Sequence, residues 1–339
     1  MTDAAAVRAA ARRIAGHVRR TPLLEDEAIN AAAGRRVLLK AECLQVTGSF
    51  KARGAWNAVA ALVHADAHGM RTGCASDVHP HGRTLRGVVA ASSGNHAQGL
   101  ARAAAAHGLP CTILMPSDAP APKRARTEAW GARIVAYDRA TEDRDERFAA
   151  LVAEEGLTPV PPFDHAEVIA GQGTVGLEIA EQCRALGVTE ADVLVCTGGG
   201  GLLAGIALAL EAEAPGLRPR PVEPEGFDDV SRSLRSGRRE RNARTAGSLC
   251  DAILTAAPGA LTFPVIARLC GPGLSVTDAA ALAAMRAAFE GLRLAVEPGG
   301  AVALAAALAA SDLPDTVVVT LSGGNVDPAL LCRALGPAA

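Results

Sequence analysis

Along most of the chain, short β-branched or apolar runs alternate with alanine-rich stretches of helical period. "RGVVAAS" leads into "GNHAQGLARAAAAHG", "PCTILMP" into "APKRARTEAWG", and "ARIVAYD" follows. Further on, "DVLVCTGGGG" leads into "LLAGIALALEAEAPG" and then "RPRPVEPEG", and "DTVVVTLSGGN" closes the series. Strands separated by helix-length segments predict parallel βαβ units. In such sheets ligands gather beyond the carboxyl ends of strands. Three polar or glycine-rich clusters fall at that position: "SSGN" after "VVAA", "GGGG" after "VLVCT" and "SGGN" after "VVVTL". Three loops of this kind could frame one anionic ligand.

The 339 residues suffice for two domains, and neither an internal repeat nor a low-complexity linker divides them. With 49% hydrophobic and 21% charged residues the chain reads as globular; with only 3% aromatics, alanine-rich helices must do most of the packing. A net charge of -2 gives no basic field for nucleic acid and no cationic run for anionic lipid. The longest apolar stretches, such as "AVALAAALAA", are too short to span a bilayer. The N-terminal segment "MTDAAAVRAAARRIAGHVRR" is Arg-rich and helical, which suits a first helix of the fold better than a targeting peptide. The eight cysteines form no C-x-x-C pair and mostly lie in apolar runs, as buried thiols of a reducing cytoplasm do. One patch, residues 63–84, shows no period and holds His64, His68, His79 and His81 with Cys74 and Asp77. A mobile surface loop fits it better than a metal site, since the spacing matches no common zinc pattern.

"TGGGGLLAG", Thr197 to Gly205, follows a strand and opens a helix. Successive glycines let backbone N–H groups approach an anion, and the helix start adds partial positive charge, so a phosphate is the natural guest. The P-loop lysine is missing. Gly199, Gly201 and Ala204 also satisfy G-x-G-x-x-A, with Glu223 placed as a ribose-binding acid, so a dinucleotide-dependent oxidoreductase is an alternative. That alternative gives no work to "TGSFKARG" (residues 47–54), "SSGNHAQG" (92–99) or "LSGGNVD" (321–327). In "SSGNHAQG", hydroxyl, amide and N–H groups at a helix start suit a carboxylate, which simple capping by Ser92 or Ser93 would not require.

Taken in order, "TGSFK", "SSGNHAQGLA", "VIAGQGT", "GGGGLLAG", "VEPEGFDD", "LTFPVI", "VEPGGAVALAA" and "LSGGNVD" resemble the serine/threonine dehydratase and serine racemase family. These are pyridoxal-phosphate enzymes of fold type II. The resemblance runs from about Arg20 to Pro337 and implies a tryptophan synthase β-like α/β fold. Two domains are expected, each a twisted, mostly parallel sheet flanked by helices. Residues 1–86 and 167–339 would form the large cofactor-binding domain, and residues 87–166 a small domain carrying "SSGNH".

The resemblance makes Lys51 the amine that condenses with the cofactor aldehyde, a role favoured where desolvation lowers its pKa. Phe50 would back the pyridine ring, and Gly198, Gly199, Gly200 and Gly201 would hold the phosphate. Asn95 would touch the ring hydroxyl, Glu297 would lie beside the cofactor, and Ser322 would face the ring nitrogen. A neutral hydroxyl there makes a milder electron sink than an aspartate would, favouring loss of a β-substituent over transamination. Ser92, Ser93, Asn95, His96 and Gln172 would hold the substrate carboxylate, with Ser93 also placed to protonate the opposite face in the racemase branch. Glu223, the Phe227 carbonyl and Asp229 would offer hard oxygens to Mg²⁺ or Ca²⁺. The expected activity is dehydration and deamination of L-threonine or L-serine by a homodimer, with 3-hydroxyaspartate ammonia-lyase and serine racemase as alternatives on the same scaffold. Three departures stand out. The interval from Lys51 to Ser92 is longer than usual, "LCDAI" replaces Ala-Asp-Gly around Cys250 and Ala252, and no regulatory domain is expected after "LSGGNVD".

Overall fold

The computed structural model describes residues 2–68, 85–119, 121–138 and 140–336. Its first half runs α1 (Ala4–Ile14), β1 (Leu23–Leu24), α2 (Glu27–Ala33), β2 (Arg36–Lys40), α3 (Lys51–Ala67), β3 (Val88–Ala91), α4 (Asn95–Ala106), β4 (Cys111–Pro116), α5 (Ala121–Ala129), β5 (Arg133–Tyr137), α6 (Arg144–Glu155) and β6 (Thr158–Pro159). The second half runs α7 (Ala166–Ala185), β7 (Ala191–Cys196), α8 (Gly201–Glu213), β8 (Leu217–Pro224), α9 (Asp229–Ser236), α10 (Thr262–Leu269), β9 (Leu274–Val276), α11 (Asp278–Leu292), α12 (Pro298–Ala309), β10 (Thr316–Thr320) and α13 (Pro328–Leu335).

The strands form two sheets, in the order β1-β2-β10-β7-β8-β9 and β5-β4-β3-β6. All pairings are parallel except the short β1–β2 edge. Continuous apolar strands are what parallel sheets covered on both faces require. Burial here follows the two-residue period: Val37, Leu39, Val317 and Val319 point into one core, while Leu38 and Val318 point into the other. The smaller sheet divides in the same way, with Val88, Ala90 and Ile113 on one face and Val89 and Leu114 on the other. The α/β architecture expected from the alternating pattern is therefore present, including its parallel strands.

One expectation changes. Residues 63–67 are not aperiodic: α3 continues through them, so His64 lies on the helix and His68 ends it, their rings 4.2 Å apart. Cys74, Asp77, His79 and His81 lie outside the described residues. Helix α3 falls within residues 1–86, expected with the larger sheet. Its Ala55, Trp56, Ala58, Val59 and Leu62 instead pack into the core of the smaller sheet with Val88, Ala90 and Leu100. Its other face meets α7 at two glycines: a Cβ on Gly171 would come within 2.6 Å of the Gly54 Cα. "VIAGQGT" is thus a helix-crossing motif.

The first turn of α3 is tied to the larger sheet by buried charge. Arg53, wholly buried, donates from Nε and Nη2 to the Glu42 carboxylate at 2.8 Å each, and from Nη1 to Glu178 Oε1 at 2.7 Å. Lys40, at the end of β2, donates to Glu178 Oε2 at 2.6 Å. Two cations and two carboxylates thus neutralise one another, as burial demands.

Candidate active site

In the larger sheet, β7 continues to β8 on one side while its other neighbour, β10, comes from the far end of the chain. Loops leave a sheet in opposite directions at such a point and open a crevice. The crevice holds a cavity of about 190 Å³ lined by Phe50, Lys51, Ser92, Ser93, Asn95, His96, Gly198 to Gly201, Glu297 and Ser322, among others. Motifs from opposite ends of the chain, from Phe50 to Asn325, therefore line one cavity.

Lys51 is the first residue of α3. Its ammonium lies 4.9 Å from the Phe50 ring centroid and donates to the Pro162 carbonyl at 2.7 Å. Burial pulls its pKa down to about 8, against the opposing pull of Glu297. In the same cavity, the glycine run turns at Gly200, whose φ of +90° suits glycine, into the start of α8. The first N–H groups of a helix have no partner within it, and those of Gly201, Leu202 and Leu203 border the cavity. A Cβ on Gly199 would sit 2.3 Å from the Phe163 ring, so glycine is obligatory for the loop to pack this closely. An amine of lowered pKa facing such an anion cradle fits a phosphorylated aldehyde.

A chain of amides ties the loops together. Asn95 Nδ2 donates to Glu297 Oε1 at 2.5 Å, and Asn325 Nδ2 donates to Asn95 Oδ1 at 2.6 Å and to the Thr47 carbonyl at 2.8 Å. Asn95 keeps one amide hydrogen for another acceptor. Burial pushes the Glu297 carboxyl up to about 7, the Asn95 hydrogen bond opposing it. Ser322 is buried beyond β10, and its carbonyl accepts from the Phe50 N–H at 3.2 Å.

The side chains of two expected carboxylate ligands are engaged elsewhere. Gln172 is wholly buried on α7, accepts from the Gly54 N–H at 3.2 Å, and lies away from the cavity lining. His96 borders the cavity, but its Nε2 donates to the Val160 carbonyl at 2.7 Å, and burial, aided by Lys51, pushes its pKa down to about 3. The neutral ring has only the Nδ1 lone pair left, which cannot hold a carboxylate. The N–H groups of the first turn of α4, with Ser92 and Ser93 before it, are the donors that remain.

Glu223 and Asp229 are buried beyond β8. Glu223 accepts from the N–H groups of Val230 and Ser231 at 2.8 Å each, and burial pushes it up to about 8, with further help from Asp229. Asp229 Oδ1 accepts from Asn242 Nδ2 at 2.6 Å, while Oδ2 is buried without a partner. With Glu223 occupied at the start of α9, the dinucleotide alternative is not favoured. Among the described residues no group of three or more His, Cys, Asp or Glu side chains could hold a metal, so a cation here would rest on two carboxylates and a carbonyl.

The segment 161–165, overlooked in the sequence, supplies the Pro162 carbonyl and the Phe163 ring, while Asp164 accepts from the N–H groups of Ala260 and Leu261. Its signal was its place beyond the carboxyl end of β6, a strand too short to register as one.

The sequence profile described as "Pyridoxal-phosphate dependent enzyme" matches residues 14–323. The chain belongs to this family. Among its relatives, an L-threo-3-hydroxyaspartate ammonia-lyase from Pseudomonas sp is 39% identical over 94% of this chain and 93% of its own. A serine racemase from Oryza sativa subsp. indica is 37% identical over 98% and 94%. Of solved structures, a threonine deaminase from T.th. superposes with TM-score 0.85 at 41% identity, covering 96% of this chain and 99% of its own. Maize serine racemase gives TM-score 0.86 at 34% identity, covering 98% and 97%. The fold is accordingly fold type II, and the chain is a pyridoxal-phosphate-dependent enzyme of the ammonia-lyase and racemase group. Among the described residues no helix is long and apolar enough to cross a membrane.

Proposed function

We propose that the enzyme removes water and then ammonia from a β-hydroxy amino acid, with L-serine and L-threonine as substrates and a 2-oxo acid as product. The observation that carries this is Lys51, an amine of lowered pKa facing the glycine cradle, with a serine rather than a carboxylate at the end of β10. Bound pyridoxal phosphate supplies an aldehyde for Lys51 and draws electrons from the substrate α-carbon. The glycine loop and the start of α8 would hold its phosphate, Phe50 would back its ring, and Asn95, Glu297 and Ser322 would supply polar contacts to the rest of it. Lys51 takes the α-proton. The start of α4, with Ser92 and Ser93, holds the α-carboxylate. The β-hydroxyl leaves as water with the proton that Lys51 has taken, and the released enamine adds water and yields the 2-oxo acid and ammonia. Ser93, which lines the same cavity, would give a proton to the opposite face when elimination fails, which would yield some racemisation.

A divalent cation, Mg²⁺ or Ca²⁺, is proposed between Glu223, Asp229 and the Phe227 carbonyl, because Asp229 Oδ2 is buried without a donor. The fold is proposed to divide into a larger unit and a smaller one that begins at α3 rather than at residue 87, since α3 packs with the smaller sheet. A homodimer in the cytoplasm completes the proposal. It rests on exposed apolar side chains such as Leu44 and Trp130, and on the free, mostly buried cysteines among the described residues.

The test is a panel of β-hydroxy amino acids assayed for 2-oxo acid and for enantiomer formation, with wild type and Lys51→Ala. The variant should lose both the absorbance of bound cofactor and turnover; turnover retained without Lys51 would refute the assignment. L-threo-3-hydroxyaspartate belongs in the panel because a second lysine, Lys123, borders the cavity.

A further inference from the structure

Thr197, Thr255 and Thr262 lie around the glycine run of the cavity. Thr197, just before it, spends its proton on the Val195 carbonyl at 2.7 Å, and Thr262 spends its own on the Gly199 carbonyl at 2.7 Å. Thr255 does neither: its Oγ1 is buried without a partner, and the residue borders the cavity. The segment that carries it is pinned to the same run on both sides. A Cβ on Gly198 would come within 2.9 Å of the Ile253 carbonyl oxygen, and the Gly259 N–H donates to the Gly199 carbonyl at 3.1 Å. Asn242 holds the backbone between them, donating from Nδ2 to the Thr255 carbonyl at 2.9 Å and from its N–H to the Ala256 carbonyl at 2.8 Å. The backbone at Thr255 is therefore fixed, and its hydroxyl alone is left without work. A buried hydroxyl with no acceptor costs stability, so one beside a cavity calls for an acceptor that arrives with a ligand.

Charge names that acceptor. Among the described residues the cations that border the cavity are Lys51 and Lys123. Lys51 is kept for the aldehyde, and the Lys123 ammonium lies 2.6 Å from the Asp251 carboxylate. A phosphate at the glycine run is thus held by neutral donors, the N–H groups at the start of α8, and each further donor counts. We propose that the Thr255 hydroxyl donates to the phosphate of the bound cofactor, as a further cofactor-binding residue beside the glycine loop. The proposal rests on the phosphate site of the function above and is independent of which amino acid is the substrate. Nothing in the sequence marks the residue: Thr255 sits in the irregular stretch "ILTAAPG", between "LCDAI" and "LTFPVI".

The experiment titrates cofactor-free wild type, Thr255→Val and Thr255→Ser with pyridoxal phosphate and with pyridoxal, which lacks the phosphate. Thr255→Val keeps the branched shape and removes the proton, so its affinity for pyridoxal phosphate should fall about 10-fold while that for pyridoxal stays as in wild type. Thr255→Ser should keep most of the affinity. Because an unsatisfied hydroxyl is lost, cofactor-free Thr255→Val should melt no lower than wild type. A phosphate monoester becomes a dianion at about pH 6, and a donor favours the dianion. Phosphorus NMR of the loaded protein should therefore place the phosphate midpoint at higher pH in Thr255→Val than in wild type. Equal affinity of wild type and Thr255→Val for pyridoxal phosphate, or an equal loss for both aldehydes, overturns the proposal. Thr255→Ala carries the same comparison should the valine variant misfold. A wild type that does not prefer pyridoxal phosphate to pyridoxal overturns the glycine cradle and Thr255 together; a preference that survives intact in Thr255→Val overturns Thr255 alone.

Discussion

Replacing Arg53 with methionine would remove the cation that two carboxylates share while keeping an unbranched side chain in the same channel. Glu42 is wholly buried; burial alone would raise its pKa, but the charge and hydrogen bonds of Arg53 outweigh this and hold it below the usual carboxylate range. Without Arg53 it keeps the Thr21 hydroxyl and the more distant Lys40 charge, too little to offset desolvation. Breaking a buried ion pair from one side costs about 3–5 kcal/mol, because the abandoned charge stays buried. Glu178 retains Lys40 and is less buried, so the loss should come mainly from Glu42. The sign with pH follows. In wild type the depressed Glu42 pKa stabilises the fold above the ordinary carboxylate range and ceases to do so as pH falls through its lowered value. In the variant the pKa is raised, so protonation relieves the strain as pH falls. Urea unfolding followed by circular dichroism should therefore show a gap of about 3–5 kcal/mol at pH 7.5 that narrows by pH 5. A gap below about 1 kcal/mol at pH 7.5, or one independent of pH, would refute the claim that Arg53 neutralises a buried carboxylate.

Recombination of cofactor-free protein with pyridoxal phosphate needs the neutral Lys51 amine, so its rate should rise with pH around a midpoint of about 8. A stopped-flow midpoint near the 10.5 of an ordinary lysine would show that burial does not act on it. Gly199→Ala places a methyl 2.3 Å from the Phe163 ring and should weaken cofactor binding at least about 10-fold by fluorescence titration, with an unchanged circular dichroism spectrum. A chelator should lower the melting temperature, added Mg²⁺ or Ca²⁺ should restore it, and Asp229→Asn should abolish that response; a melt indifferent to chelator removes the cation from the proposal.

The strands and the helices between them were legible because fully buried parallel strands leave unbroken apolar runs and exposed helix faces leave polar ones. The glycine loop, "SSGN" and "SGGN" could be placed at strand ends by order alone. What the sequence hid was three-dimensional. Gln172 belongs to a glycine crossing between α3 and α7, which looks like any site motif until the partner helix is seen. The tautomer of His96 depends on a carbonyl 64 residues away. Lys123 meets Asp251 only through the fold, and nothing around Lys123 in the chain departs from ordinary surface composition. That α3 packs with the smaller sheet was hidden because packing, not proximity in the chain, decides it.

The order of strands also governs when the site can exist. β10 lies between β2 and β7, pairing Thr316 with Arg36 and Val317 with Asp192. Until the last strand of the larger sheet arrives, β2 has no parallel neighbour, and Ser322 and Asn325 have no wall to complete. Contacts of such long sequence separation close late and slowly. A ribosome-bound chain lacking its final strand could fold the smaller sheet yet capture no cofactor. The appearance of bound-cofactor absorbance during refolding should therefore trail the recovery of helix, and would serve as a clock for the final step of assembly.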